Sequence, residues 1–237
     1  SGGIRSLVDI DADGDLDILG TSAKGYSSND YDKIVWIENI DGVGEYGYPQ
    51  LIYFDNSKIK SLTSANLDND GNPDIIFNDF QKVYWMKSID GLGNFESPLE
   101  INSIANSRTY PIDLDLDGDV DIFTFKNDTI GWYTNIDGLG NFSQINIIAE
   151  NGVNPYGAFF LEDVDGDNDK DIIVTLNFSD DFGWFENLDG VGNFSDLQIL
   201  INGIEHGRIR LGDMDNDGDK DIVSFEQTGN IFWYPNE

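Results

Sequence analysis

The stretch DIDADGDLDIL at residues 9–19 places an aspartate at every second position from Asp9 to Asp17. Two carboxylates about 4 Å apart repel by roughly 1 kcal/mol in water and by about 4 kcal/mol in a partly screened protein environment. Such a cluster therefore indicates that a cation lies among the carboxylates. Ca²⁺ fits this chemistry, because it takes about six to eight oxygen ligands, which closely spaced carboxylates in a tight loop with a glycine at position six can deliver.

This first acidic loop can be numbered from one to nine. We expect the side chains at positions one, three, five and nine to face the ion and position seven to supply its backbone carbonyl, while Gly14 at position six permits the turn. An EF-hand would need a glutamate at position twelve followed by a helix, but position twelve is Gly20 and a β-rich segment follows. The sequence therefore predicts a calcium loop on β-structure. Its predicted ligands are Asp9, Asp11, Asp13, Asp17 and, through its carbonyl, Asp15.

The acidic stretch recurs four more times, starting at residues 66, 113, 163 and 213, with a period of about 50 residues. A second motif keeps the same spacing: a tryptophan strand followed by a D-G-x-G turn. The five tryptophans all occupy one equivalent position: Trp36, Trp85, Trp132, Trp184 and Trp233. Because both alternating faces of this strand are apolar, we expect it to be buried between two layers and its tryptophans to be core residues.

The repeats predict an all-β fold. Each unit has an apolar segment before the acidic loop, a β-branched run after it, the tryptophan strand and a last strand beyond the D-G-x-G turn. Radially stacked four-stranded sheets would cover both faces of each tryptophan strand. We therefore predict a single β-propeller domain over residues 1–237, with five four-stranded blades of roughly 50 residues. Repeat five stops after its tryptophan strand, so we expect a three-stranded or truncated last blade. The approximate repeats are 1–57, 58–105, 106–155, 156–205 and 206–237.

The acidic loops joined to β-strands, with the tryptophan strand and the N-x-D-G-x-G-x-F turn, resemble the FG-GAP/VCBS repeats of integrin-α-type propellers. This resemblance covers essentially the whole chain and implies a Ca²⁺ ion in the first hairpin of each blade, up to five ions in all. Carried over by position, the implied side-chain ligands of loops two to five are Asn66, Asp68, Asp70, Asp74, Asp113, Asp115, Asp117, Asp121, Asp163, Asp165, Asp167, Asp171, Asp213, Asp215, Asp217 and Asp221. Position seven of these loops is Asn72, Asp119, Asp169 and Asp219.

Two loops depart from the pattern. Loop two has Asn66, Asn72 and Pro73 and hence fewer charges, so we predict that it is the weakest site. Loop four has Asn168 where the pattern has glycine. We expect this change to be tolerated, because asparagine adopts a positive φ more readily than most residues.

Composition narrows the function classes. With 39% apolar residues, the chain can fold despite a net charge of −32. That charge argues against nucleic acid as a partner, because phosphate binding needs clustered Lys and Arg. The absence of cysteine excludes disulfides and cysteine nucleophiles. No apolar run approaches the ~18 residues of a membrane span, so we expect no membrane insertion.

Other residues outside the repeat consensus could take part in recognition. The insertion at 21–33 is the best candidate contact loop, with a tolerated insertion as the alternative. His206 is interpreted as a solvated loop residue rather than an acid or base. The arginines fall on or just before first strands and either bind an anionic ligand or offset the carboxylates: Arg5, Arg108, Arg208 and Arg210. Tyrosines predicted to be exposed, and therefore candidates for stacking on a sugar, are Tyr26, Tyr31, Tyr110 and Tyr156.

Together these features predict a calcium-stabilised extracellular binding or adhesion module within a larger multidomain protein. Its partner would be an extracellular protein or a glycan, and millimolar extracellular calcium suits such loops. The alternatives are a glycan-binding lectin and, less favoured, a polysaccharide lyase. We predict no catalytic residues, because no constellation of His, Tyr, Lys or Arg recurs outside the repeat consensus.

Overall fold

The computed structural model describes residues 3–23, 32–54, 59–79, 81–102, 108–126, 129–151, 153, 159–176, 181–202, 208–218, 220–226 and 229–236. These residues contain 19 β-strands. The first ten are β1 (Gly3–Val8), β2 (Asp17–Ala23), β3 (Asp32–Ile37), β4 (Gln50–Phe54), β5 (Ser61–Ala65), β6 (Asp74–Asn78), β7 (Val83–Met86), β8 (Leu99–Asn102), β9 (Arg108–Ile112) and β10 (Asp121–Lys126). The remaining strands are β11 (Thr129–Tyr133), β12 (Asn146–Glu150), β13 (Phe159–Glu162), β14 (Asp171–Thr175), β15 (Phe182–Phe185), β16 (Gln198–Ile201), β17 (Arg208–Gly212), β18 (Asp221–Phe225) and β19 (Ile231–Tyr234).

The strands form five sheets, each of which follows chain order. Four sheets have four strands: β1-β2-β3-β4, β5-β6-β7-β8, β9-β10-β11-β12 and β13-β14-β15-β16. The last has three, β17-β18-β19, and its neighbouring strands are antiparallel. The predicted all-β architecture of four-stranded blades with a three-stranded last blade is confirmed.

The tryptophan strand is the third strand of each sheet. Its tryptophan pairs with an aliphatic residue of the second strand, as in Trp36 with Leu19 and Trp85 with Ile76. The second strand of the second sheet, β6, is buried at all five positions. A strand buried on both faces needs a layer on each side, which explains the continuous apolar runs of the sequence.

The core lies between consecutive sheets. One cluster joins side chains of the first two sheets, including Leu19, Trp36 and Phe77. A second joins the second and third sheets through Trp85 and Tyr133. A third joins the fourth and fifth sheets, and its buried members are Val164, Ile173, Phe182, Ile201, Ile209 and Ile222.

The prediction that all five tryptophans are core residues is wrong for the last one. Trp36, Trp85 and Trp132 are 5%, 6% and 3% exposed, and Trp184 is partly buried. Trp233 is 50% exposed, because it lies on β19, the edge strand of the three-stranded sheet. Its sequence position is equivalent, but the described residues leave half of its side chain uncovered.

Two compact units make up the chain. The first comprises residues 1–113, 118–126 and 132–146, and the second comprises residues 114–117, 127–131 and 147–237. The single domain expected over 1–237 stays a prediction. Within the described ranges, no helix has the length and apolar character needed to cross a membrane.

Candidate metal centres

Each acidic loop joins the first and second strands of its sheet, as the resemblance implies. Position nine is the first residue of the second strand in every sheet, for example Asp17 in β2 and Asp171 in β14. Position four has a positive φ in all five loops, whatever its residue: Ala12 (60°), Asn69 (56°), Leu116 (57°), Gly166 (82°) and Asn216 (69°). The loops therefore share one backbone conformation, even where an alanine or a leucine must accept a strained φ.

Four loops bring carboxylates together. In each, one oxygen of three aspartates lies within 4.8 Å of the other two. The groups are Asp9, Asp11 and Asp13; Asp113, Asp115 and Asp121; Asp163, Asp165 and Asp171; and Asp213, Asp215 and Asp221. Position five belongs to the group only in loop one, and position nine only in the other three loops. Asp219 lies outside the described residues, and the ligand assignments stay predictions.

The carboxylate at position one also closes the turn. Asp9 accepts a hydrogen bond from the backbone N–H of Gly14 at 3.0 Å, and Asp213 accepts the equivalent bond from Gly218 at 3.2 Å. In loop four the donor is Asn168, at 3.1 Å from Asp163. Asn168 has a φ of 77°, so the predicted tolerance of asparagine at this position is confirmed.

Buried oxygens without donors indicate that these loops suit a cation. Oδ1 of Asp9, Asp11 and Asp113 is buried and has no hydrogen-bond partner among the described residues. A buried carboxylate oxygen left in this state is costly unless a cation coordinates it. Hard oxygen donors of this kind are the donors that Ca²⁺ prefers, so the residues fit that ion.

The raised pKa values of aspartates in these clusters also favour a bound cation. Burial raises the pKa of Asp11, and the charges of Asp13 and Asp17 raise it further. The pKa of Asp165 is raised by burial and then by Asp167. The clusters of loops one and four thus disfavour their own negative charge, which a divalent cation would compensate.

The aspartate at position nine has a second task that the sequence did not reveal. Both oxygens of the fully buried Asp17 accept backbone hydrogen bonds, from Ile10 at 3.0 Å and from Asn39 at 2.8 Å. Asp171 makes the same two bonds, to Val164 and Asn187, both at 2.9 Å. This aspartate therefore ties the acidic loop to the end of the tryptophan strand. Burial raises the pKa of Asp171 to about 6.

Position seven faces the D-G-x-G turn of its own sheet. A Cβ on Gly42 would overlap the carboxylate of Asp15, and a Cβ on Gly91 would overlap the side-chain amide of Asn72. The first glycine of the turn thus lies against the acidic loop, and at Gly42 its φ of +68° also favours glycine. The recurrence of both motifs in repeats one to four was the available signal for this contact.

Loop two differs from the others. Within its nine residues, all of which are described, no group of three carboxylates meets the criterion that the other loops satisfy. Lys87 Nζ forms an ion pair with Oδ2 of Asp68 and lies 3.8 Å from Oδ2 of Asp70. The side chain of Asp68 is 2% exposed. The predicted ligands Asn66 and Asn72 carry no charge.

Several candidate recognition residues cannot be placed. Most of the insertion at 21–33, together with Tyr26, Tyr31, Tyr156 and His206, lies outside the described residues. Arg5, Arg108 and Arg210 are exposed on first strands, and the side chain of Arg208 is not described. Tyr110 is partly buried rather than exposed, with its ring centroid 6.4 Å from that of Phe125.

Comparisons with known proteins support the fold. The model of the FG-GAP-like repeat family matches residues 163–224. The chain is similar to an Agrocybe aegerita lectin described by its specific recognition of non-reducing terminal N-acetylglucosamine, with a TM-score of 0.67 and 19% identity over 94% of this chain and 60% of that chain. It thus spans less than two thirds of the lectin. A search of curated proteins finds no match.

The chain is also similar to parts of two larger solved structures. The Photorhabdus luminescens Tc holotoxin pore matches with a TM-score of 0.53 and 15% identity, over 98% of this chain and 11% of that chain. The V. cholerae biofilm matrix protein Bap1 matches with a TM-score of 0.47 and 16% identity, over 100% of this chain and 39% of that chain. The resemblance to FG-GAP-like repeats and the β-propeller fold class are confirmed.

Proposed function

We propose that this chain, an FG-GAP-type β-propeller, is a Ca²⁺-stabilised extracellular module whose rigid blades present a surface to a protein or glycan partner. The observation that carries the proposal is the group of three aspartates in four equivalent loops. The buried oxygens without donors in loops one and three support it. We also propose that the module belongs to a larger secreted or surface protein.

The aspartates hold the ion, and their loop supports them. Positions one and three supply carboxylates in all four groups, joined by position five in loop one and by position nine elsewhere. Gly14 and its equivalents donate backbone N–H groups that orient position one. Bound calcium would neutralise the repulsion within each loop and fix the first hairpin of the blade. Ligand binding to the folded state alone stabilises it by about 2.7 kcal/mol per site at a concentration 100 times the Kd.

Calcium removal tests the proposal. We expect excess EDTA to lower the melting temperature strongly and added CaCl₂ to restore it, because the apo loops keep their repulsion. Asp11→Asn should remove one bound ion, counted by native mass spectrometry. The matched control is Asp137→Asn, the same charge change on an exposed turn aspartate outside the groups. A melting curve unchanged by EDTA would contradict the calcium proposal.

A glycan is the second candidate for the partner. The fold shared with the lectin supports it, as does a surface pocket of about 350 Å³. The polar groups of its lining include Glu100 and Asn141, while Trp85 contributes only the small exposed part of its side chain. We expect N-acetylglucosamine-terminated glycans to raise the melting temperature of the calcium-loaded protein. The absence of any shift across a glycan array would favour a protein partner.

The proposal assigns no catalytic residue. Release of unsaturated products from acidic polysaccharides by the calcium-loaded chain would instead support the polysaccharide lyase considered from the sequence.

A further inference from the structure

We propose that loop two carries its own cation, the ammonium group of Lys87, and that the second blade therefore takes no Ca²⁺. The chain would then bind four ions rather than the five that its repeats suggest. This inference rests on the proposed calcium function of the other loops.

The first support is the position of the lysine. Lys87 pairs with Asp68 at position three and lies 3.8 Å from Asp70 at position five. These positions correspond to Asp11 and Asp13, two members of the carboxylate group of loop one. The buried carboxylate of Asp68 is thereby neutralised from within the chain. A calcium ion among the same oxygens would have to displace the ammonium group or lie beside its positive charge.

The second support is a comparison of the repeats. Lys87 is two residues after Trp85, and the residues at the same place in repeats one, three, four and five are Glu38, Thr134, Glu186 and Pro235. Only repeat two has a cation there. Glu38 lies close enough to Asp11 to act on its charge, and Glu186 does the same to Asp165. This position thus adds negative charge beside two candidate sites and positive charge beside loop two.

The third support is the number of acidic residues. Loop two has three, Asp68, Asp70 and Asp74, whereas each of the other four loops has five. Asp74 makes the two structural hydrogen bonds of position nine, to Leu67 at 2.9 Å and Ser88 at 2.8 Å. The other two carboxylates, Asp68 and Asp70, face Lys87. Loop two therefore offers a divalent ion fewer carboxylates than the other loops do, and Lys87 already offsets part of their charge.

The test is a count of calcium ions by native mass spectrometry, with equilibrium dialysis as a second measurement. We expect four ions for the wild-type chain and five for Lys87→Glu, which installs the residue of repeats one and four. Lys87→Thr, which installs the residue of repeat three, should also bind five ions. This second variant keeps the test decisive if Lys87→Glu fails to fold. Glu38→Lys is the reverse change and should lower the count to three.

The matched control is Lys82→Glu, because Lys82 immediately precedes β7, pairs with Glu100 and is as exposed as Lys87. It makes the same charge change away from loop two and should keep four ions. A wild-type count of five, or a count of four in both folded Lys87 variants, would overturn the role of Lys87 and leave the calcium function intact. A wild-type count of zero would overturn both.

Discussion

Gly140, the second glycine of the third D-G-x-G turn, lies against the indole ring of Trp85 from the preceding repeat. A Cβ at Gly140 would overlap that ring, and the residue has a φ of +80°. Gly93 stands in the same relation to Trp36, with a φ of +81°. In these two cases the tryptophan of one repeat packs on a glycine of the next, which links the two recurring motifs.

Gly140→Ala should therefore destabilise the protein for two reasons. The positive φ costs about 1–3 kcal/mol in a residue with a Cβ, and overpacking against Trp85 costs about 1–3 kcal/mol more. Gly44→Ala is the control, since Gly44 has the same place in the first turn and a φ of +113°, but no described atom lies within 4 Å of its Cβ position. The loss of unfolding free energy in urea should be larger for Gly140→Ala. Equal losses would argue against the ring contact.

At the scale of the elements, consecutive sheets are joined by an asparagine three residues after the tryptophan. Nδ2 of the fully buried Asn135 donates to the carbonyl of Leu67 in the preceding repeat at 2.8 Å. Asn187 makes the equivalent bond to Leu114 at 3.3 Å. Repeat two has Ser88 at this position, whose shorter side chain cannot supply the same amide donor. The second and third sheets are thus linked by a polar contact as well as by their apolar faces.

Asn135→Ser should weaken this link. It leaves the buried carbonyl of Leu67 without its amide donor, which costs about 1–3 kcal/mol. We expect this loss in urea denaturation. Asn141→Ser is the control, because Asn141 donates to Asp137 at 2.8 Å on the exposed turn, where the loss of one bond should cost little. An equal effect of the two substitutions would contradict the interpretation.

The sequence was sufficient for the elements and insufficient for the contacts between them. The recurring aspartates predicted the hairpins, because like charges at every second position are favourable only in a tight loop that holds a cation. The ion pair of Lys87 joins the residue after β7 to the acidic loop between β5 and β6, and the Trp85–Gly140 contact joins two repeats. Such contacts depend on how sheets stack, which periodicity does not specify. The available signals were exceptions to the repeat, such as lysine where repeats one and four have glutamate.

At the scale of the whole molecule, the net charge of −32 opposes folding through self-repulsion. We expect the melting temperature of the calcium-free protein to rise as NaCl increases from about 0.01 M to about 0.15 M, because the Debye length falls from about 30 Å to about 8 Å. The calcium-loaded protein should respond less, since its loops are already neutralised. The measurement is calorimetry. If the melting temperature of the calcium-free protein did not depend on salt, charge repulsion would not limit its stability.

The contact between a tryptophan and a glycine of the next repeat makes the two sides of a repeat different. Repeat two has an aromatic ring, Trp85, on the side of repeat three and a glycine, Gly93, on the side of repeat one. Removal or duplication of one whole repeat of this kind would again bring a tryptophan against a glycine. A cut inside a repeat would leave one of the two without its partner. Repeats of this kind can therefore be gained or lost in evolution as complete units, because the contact between neighbouring repeats stays the same.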